Sequence, residues 1–126
     1  MAKTIESQPM TSPILPGRIL VVDDNEDVLQ AARLLLKRHF SSIQTLNGPA
    51  ELPRLAKARA FDALLLDMNF TQGADNGAEG LAALSQVLAI DDQAVVIPVT
   101  AHSDVELAVE AMKRGAADFV TKPWEN

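Results

Sequence analysis

Four apolar runs in this sequence each end in side chains that can do chemistry. These side chains are Asp23, Asp24, Asp67, Thr100 and Lys122. Short apolar runs between turn signals predict buried strands. Parallel strands separated by helices place their carboxyl ends at one edge of a sheet, and open α/β folds bind ligands at that edge. The sequence therefore predicts a site with three carboxylates, one hydroxyl group and one ammonium group.

The clustered carboxylates favour a bound divalent cation. Three carboxylates close together repel one another, and without a cation the pKa of at least one of them would be raised. The candidate ligands are all hard oxygens and the chain has no cysteine, which favours Mg²⁺ over zinc or a softer metal. We therefore predict that Asp23 and Asp24 hold a magnesium ion.

Asp67 is the predicted nucleophile of this site. A carboxylate can hold a phosphoryl group as an acyl phosphate, and phosphoryl transfer needs little beyond in-line positioning and cations on the phosphoryl oxygens. Asp67 stands alone at the end of the middle run, between the paired acids and the runs that end in Thr100 and Lys122. We expect Lys122 and Thr100 to contact the phosphoryl oxygens.

The elements that must position these side chains alternate along the chain. Strands are predicted at residues 18–22, 43–46, 63–66, 95–100 and 118–122. Helices are predicted between them, the second beginning near Pro53. This alternation predicts a parallel sheet with both faces covered. The chain stops at Asn126, just after the fifth strand, so we expect the last helix of the pattern to be missing from a truncated piece.

Capping patterns predict where three of the helices begin. Asn25 should cap the first helix. Asn76 with Glu79, and Ser103 with Glu106, have the spacing of capping pairs for the third and fourth helices. Each of these helices should therefore begin just after a polar N-cap side chain.

Apolar spacing predicts which helix faces are buried. In the first helix the recurring positions are Val28, Leu29, Ala32, Leu35 and Leu36. In the third they are Leu81, Leu84, Val87 and Leu88. In the fourth they are Val105, Ala108, Val109 and Met112, and Gly115 suits the exit from that helix.

Composition and charge limit the possible classes of protein. With 126 residues, of which 48% are hydrophobic and 22% charged, the chain fits one domain at 18–126 after a disordered leader at 1–17. The absence of cysteine fits the cytoplasm, and no apolar run approaches the roughly 20 residues of a membrane span. A net charge of -6 disfavours direct binding to nucleic acid.

Four short motifs resemble the signatures of one protein family. They are Leu20-Val21-Val22-Asp23-Asp24, Leu65-Leu66-Asp67, Val99-Thr100-Ala101 and Lys122-Pro123. Together, in this order and at strand ends, they resemble the receiver domain of two-component response regulators over about residues 18–126. The resemblance implies a doubly wound, flavodoxin-like (CheY-like) α/β fold with five parallel strands in the order 2-1-3-4-5. The fifth helix of that fold is missing from this chain.

The resemblance also implies a phosphoacceptor and its metal ligands. Asp67 resembles the residue that takes a phosphoryl group from a sensor histidine kinase. Asp24, Asp67 and the backbone carbonyl of Asn69 resemble the direct Mg²⁺ ligands. Asp23 resembles the acid that reaches the ion through water.

Further positions resemble the phosphoryl-binding and switching groups of the family. Thr100 is similar to the switch hydroxyl, and Phe119 to the aromatic residue that changes rotamer with it. Phe119 could equally be a core residue. Lys122 is similar to the family's lysine, and the backbone N–H groups of Met68 and Ala101 to phosphoryl-binding donors.

The implied function is a phosphorylation-activated signalling switch that catalyses only its own phosphorylation and dephosphorylation. Residues 105–116 are similar to the receivers of nitrogen-regulation-type (NtrC-like) transcriptional activators, in which ATPase and DNA-binding output domains follow. The loop from Asp67 to Gly80 is longer than is usual in the family. A sheet without its last helix should expose an apolar patch, which predicts a homodimer or an exchanged element.

Three other functions compete with this interpretation. A receiver can act as a docking or dimerisation unit without phosphorylation, although such a unit has no need of all five chemical side chains. A phosphatase with an aspartyl intermediate needs a second acid two positions after the nucleophile, where this chain has Asn69. A nucleotide-binding Rossmann domain is less favoured still, because acidic residues stand where that fold has its glycine-rich phosphate-binding loop.

Overall fold

Five strands alternate with four helices in the part of the chain that the structure describes. This structure is a computed structural model, and it describes residues 15–68, 77–101 and 104–121. In chain order the elements are β1 (Leu15–Val22), α1 (Glu26–Leu36), β2 (Phe40–Leu46), α2 (Leu52–Lys57), β3 (Ala63–Asp67), α3 (Ala78–Ile90), β4 (Val96–Thr100), α4 (Val105–Lys113) and β5 (Val120–Thr121). The predicted alternation is confirmed.

The strands form one parallel sheet in the order β2-β1-β3-β4-β5, as predicted. Its register aligns the carboxyl ends of the central strands. Val22 pairs with Leu66, and Asp67 pairs with Val99. Because Thr100 follows Val99 directly, the acids after β1, the acid at the end of β3 and the hydroxyl at the end of β4 share one edge.

Apolar side chains cover both faces of the sheet. On one face Leu64 and Leu66 of β3 pack in a cluster with residues of α2, α3 and α4. On the other face Leu65 and Val99 pack with Leu29 of α1. Successive strand residues point to opposite faces, so the continuous apolar runs fill both layers at once. Within the described residues, no helix has the length and apolar character needed to cross a membrane.

Three strands differ from the predicted bounds by two or more residues, and the second of them begins at Phe40 rather than at Ile43. The first begins at Leu15, inside the stretch expected to be a leader, and residues 1–14 lie outside the described part. The fifth covers only Val120–Thr121. Val96 O accepts a hydrogen bond from Ala117 N, so alternate residues of β4 turn their backbone groups toward β5. Pro98 is one of these residues and has no N–H, which removes a donor from the β4–β5 ladder.

The helix starts confirm one of the three capping predictions. Asn25 caps α1, as expected. Helix α3 follows Gly77 and helix α4 follows Asp104, whose side chain makes no capping hydrogen bond among the described residues. Asn76 and Ser103 lie outside the described part, so the capping pairs predicted from them stay predictions.

The buried face of α4 also differs from the prediction. Its buried residues are Leu107, Ala108 and Ala111. Three of the four positions expected to be buried are exposed, with relative accessibilities of 66% for Val105, 48% for Val109 and 41% for Met112. The helix turns Leu107 and two alanines toward the core, and its three other large apolar side chains face outward. The predicted exit at Gly115 agrees with its positive φ of 112°.

An exposed ion pair should make stability depend on pH. The side chain and backbone N–H of Arg18 donate to Asp62, with Arg18 N 2.8 Å from Asp62 Oδ2. The side-chain hydrogen bond from Arg18 lowers the pKa of Asp62 below 3.8. A lowered folded-state pKa contributes stability above that ordinary value, and this stability is lost as pH falls through the folded-state pKa.

We therefore expect Asp62→Asn to lower the urea midpoint at neutral pH, with the difference from the native chain shrinking in acid below pH 3.8. Urea denaturation at several pH values measures this difference in midpoint. The exposed Asp92 serves as the control through Asp92→Asn, which should show no such convergence. A deficit of Asp62→Asn that stays constant with pH would count against the ion pair.

Candidate functional site

Three carboxylates come together at the carboxyl edge of the sheet. One oxygen each from Asp23, Asp24 and Asp67 lies within 4.8 Å of the others. Asp23 and Asp67 are buried, with relative accessibilities of 2% and 3%, whereas Asp24 is exposed. Adjacent strands bring these acids together, since β1 pairs with β3. The predicted acidic cluster is present, with one member open to solvent.

The turn after β1 holds Asp23 in place. Asn25 N donates to Asp23 Oδ1 at 2.9 Å. Asn25 Oδ1 in turn accepts from Asp27 N at 2.8 Å and from Val28 N at 3.3 Å, which caps α1. One residue therefore links the start of α1 to the orientation of a buried carboxylate in the cluster.

The backbone after Asp67 is held between β4 and α3. Met68 N donates to Val99 O at 3.2 Å, and Met68 O accepts from Gly80 N at 3.2 Å. The N–H of Met68, predicted as a phosphoryl-binding donor, is thus part of the β3–β4 ladder in this structure. Ala101, whose N–H is the other predicted donor, follows β4 directly and is exposed.

Gly80 also belongs to this site, although the sequence patterns marked it only as the end of the loop after Asp67. A Cβ at Gly80 would lie 2.4 Å from Met68 Cα and 2.7 Å from Met68 O. Only glycine allows α3 to approach the β3 backbone this closely. The available signal was a glycine inside a helical pattern, which often marks a packing constraint.

Thr100 lies at the end of β4 with its hydroxyl out of contact with solvent. It is 2% exposed, and Thr100 Oγ1 finds no hydrogen-bond partner among the described residues. Buried polar groups are normally hydrogen-bonded, so this hydroxyl is available to donate to a group outside the described residues. Thr100 and Phe119 also line the same cavity of about 370 Å³ between α4 and strands β4 and β5.

Phe119 is not a core residue, because 41% of it is exposed. Its backbone N–H donates to the side chain of Asp118 at 2.8 Å. The cavity that it shares with Thr100 provides space beside the ring. Of the two predicted roles for Phe119, the structure rules out simple core packing, and the switching role stays a prediction.

The donor set fits a magnesium ion. The described donors are carboxylate oxygens, which suit hard cations, and Asp67 Oδ2 is shielded from solvent. Two buried acids in so small a cluster need a positive charge nearby. The predicted carbonyl ligand Asn69 and the predicted phosphoryl-binding Lys122 both lie outside the described residues.

Known proteins agree with this fold and site. A family model for the response regulator receiver domain matches residues 19–126. The alginate biosynthesis transcriptional regulatory protein AlgB of Pseudomonas syringae pv. tomato is 39% identical over 107 residues, which cover 85% of this chain and 23% of AlgB. This chain thus spans about a quarter of the length of that relative.

Two solved structures are also similar. One is the N-terminal signal receiver domain of a two-component system response regulator from Bacteroides fragilis, with 42% identity, a TM-score of 0.76 and 88% of each chain covered. The other is a response regulator protein from Burkholderia pseudomallei with a phosphorylated aspartic acid, a calcium ion and citrate. It has 25% identity and a TM-score of 0.69, and the match covers 86% of this chain and 61% of that one.

The family match covers most of the chain, and the fold and the acidic cluster lie where the resemblance implied. The similarity to receivers of nitrogen-regulation-type transcriptional activators is confirmed together with it. This chain belongs to the response regulator receiver domain family.

Proposed function

We propose that this receiver domain is a phosphorylation-activated switch that accepts a phosphoryl group on Asp67 from a sensor histidine kinase. The single observation that carries this proposal is the group of three carboxylates within 4.8 Å of one another, at the sheet edge where β4 ends in the buried hydroxyl of Thr100. The phosphorylated aspartic acid in the similar Burkholderia pseudomallei protein supports it. The function is signalling, with no chemistry beyond forming and hydrolysing its own acyl phosphate.

The transfer step uses a carboxylate oxygen of Asp67 as the nucleophile. This oxygen attacks the phosphorus of a phosphohistidine on the kinase, so that an O–P bond forms and the N–P bond breaks with its electron pair returning to the imidazole. Asp23, Asp24, Asp67 and the carbonyl of Asn69 would hold Mg²⁺. When bound, the ion offsets the negative charge of the carboxylates and of the phosphoryl oxygens.

The remaining site residues bind the phosphoryl group or respond to it. Lys122 and the backbone N–H of Ala101 would donate to phosphoryl oxygens. Thr100 would supply its orphaned hydroxyl as a further donor, which satisfies a buried polar group. Movement of Thr100 would alter the cavity that it shares with Phe119 and thereby reshape the outer face of α4.

We further propose that the output lies in attached domains. The relative AlgB is a transcriptional regulatory protein more than four times as long as the matched region, which makes up 23% of it. An ATPase module and a DNA-binding module following the receiver would fit this length. A net charge of -6 on this piece disfavours direct contact with DNA, which supports a DNA-binding role for an attached module, and the expected compartment is the cytoplasm.

Labelling by a small phosphodonor tests the proposal. Incubation with phosphoramidate should add one phosphoryl group to the chain when Mg²⁺ is present, and chelation of Mg²⁺ should prevent this. Intact mass measures the addition, and treatment with hydroxylamine should remove it, because an acyl phosphate is a reactive mixed anhydride of a carboxylic and a phosphoric acid. Equal labelling with and without Mg²⁺ would exclude the proposed site chemistry.

Amide exchange tests the proposed switch. A beryllofluoride mimic of the phosphoryl group should slow or speed exchange by α4 and the segment up to Phe119, since Thr100 and Phe119 line the cavity next to that helix. The edge strand β2, on the far side of the sheet, provides the internal reference. Unchanged exchange across residues 104–119 would contradict the switch.

A second candidate function is a docking or dimerisation unit that works without phosphorylation. The exposed apolar side chains of Val105, Val109, Met112 and Phe119 favour it, because clustered apolar surface promotes association. We expect the sedimentation coefficient to rise with protein concentration and Val109→Lys to suppress that rise. A monomer at all concentrations, with native helicity, would remove this candidate.

A further inference from the structure

The first turn of α3 lies directly against the residue that follows the predicted phosphoacceptor. Gly80 N donates to Met68 O, and the space for a Cβ at Gly80 is already occupied by the Met68 backbone, 2.4 Å away at Met68 Cα. Backbone against backbone leaves no flexible side chain to absorb a displacement. Movement of this turn is therefore transmitted to Met68, next to Asp67.

The same turn also lies against α4. Gly77 has a φ of 71°, and a Cβ on it would lie 2.5 Å from both Cδ atoms of Leu107. Leu107 is only 9% exposed and belongs to the same core cluster as Met68. Its side chain occupies the space that glycine leaves open, so α4 and the start of α3 are in close contact.

The C-terminal end of α4 also contacts α3. Arg114 Nη1 donates to Ser85 Oγ at 3.2 Å, and a Cβ at Gly115 would lie 3.0 Å from Leu88. Both ends of α4 therefore contact α3. Of these contacts, the one at Leu107 leads to the acidic cluster. Leu107 packs on Gly77, and the turn that begins at Gly77 contacts Met68 through Gly80.

We propose that Leu107 is a positioning residue for the phosphoacceptor site, acting through Gly77 and the first turn of α3 on Met68. Its side chain presses that turn against β3 and so fixes the backbone beside Asp67. This route does not use Thr100 or Phe119. The inference rests on the proposed function for its rate measurement, and it supplies a second path by which contacts on α4 alter phosphorylation.

The test compares four variants of the full chain. Leu107→Ala and Leu107→Val shorten the side chain that contacts Gly77, and Leu107→Met keeps its volume. Leu34→Ala is the matched control, because it makes the same truncation at an exposed leucine of α1. We expect Leu107→Ala to slow Mg²⁺-dependent labelling by phosphoramidate by about threefold to tenfold. Leu107→Val should slow it less, and Leu107→Met and Leu34→Ala should label at close to the native rate.

A second measurement needs no phosphoryl transfer. Exchange of the Gly80 amide, which donates to Met68 O, should accelerate in Leu107→Ala relative to core amides of β3 such as Leu65. A purely structural loss would accelerate all of these amides together. Native labelling with native Gly80 exchange in Leu107→Ala, or equal effects in Leu34→Ala, would overturn the inference. If the native chain takes no label, the proposed function fails, and the Gly80 exchange still decides the role of Leu107.

Discussion

Asp67→Asn should abolish labelling of the chain by phosphoramidate. The amide that replaces the carboxylate has no anionic oxygen to attack phosphorus, so no acyl phosphate forms. The substitution keeps the size of a side chain that is 3% exposed, and the fold should remain intact. Intact mass after incubation with phosphoramidate and Mg²⁺ measures the loss.

The same substitution should remove stabilisation by Mg²⁺. A ligand that binds only the folded state at about ten times its dissociation constant stabilises that state by about 1.4 kcal/mol. Removing one of three carboxylates that lie within 4.8 Å of one another weakens binding, so Mg²⁺ should shift the urea midpoint of the native chain far more than that of Asp67→Asn.

Asp27→Asn is the control for these two effects. Asp27 is an exposed acid in the first turn of α1, near the cluster in sequence but not part of it. It should label and bind Mg²⁺ like the native chain. Labelling of Asp67→Asn at the native rate would show that another residue accepts the phosphoryl group.

Gly80→Ala should destabilise the fold by about 2–3 kcal/mol, as other overpacked core sites do. Intrinsic helix propensity favours alanine over glycine by about 1 kcal/mol, so propensity alone predicts the opposite sign. The steric contact determines the sign of the stability change, because the new Cβ would lie 2.4 Å from Met68 Cα, a backbone carbon that cannot rotate away. Urea denaturation measures the free energy of unfolding.

Gly48→Ala provides the matched control. Nothing lies within 4 Å of a Cβ at Gly48, so this variant should stay within about 0.5 kcal/mol of the native chain. Gly80→Ala should also label more slowly, since the Met68 backbone beside Asp67 must move to admit the methyl group. Equal stability of the two alanine variants would mean that α3 does not approach β3 as closely as described.

Local pattern was enough to predict the sheet and the acidic cluster. Buried parallel strands appear in sequence as continuous apolar runs, and the polar residue that ends each run marks the functional edge. The helix cap at Asn25 was equally predictable, because a capping side chain accepts hydrogen bonds from backbone N–H groups only two and three residues away. Features of this kind need no knowledge of distant contacts.

Packing between helices was not predictable in the same way. Val105, Val109 and Met112 look like a buried face by spacing, yet the structure buries Leu107, Ala108 and Ala111. Two of these three residues are alanines, to which hydrophobicity patterns give little weight. The close approach of Leu107 to Gly77 was missed for a related reason, since it joins two segments that are far apart in the chain.

The sequence alone predicted that three carboxylates meet at the carboxyl edge of a parallel sheet, because the apolar runs mark the strand ends and the alternation of elements makes the strands parallel. The order of the strands was implied by the resemblance to receiver domains. Only the tertiary structure decided that Asp23 and Asp67 are buried while Asp24 faces solvent, that Gly80 touches Met68, and that α4 leaves three of its apolar side chains exposed. These features depend on contacts between segments far apart in the chain, where the shape and volume of both partners matter and neither is encoded locally.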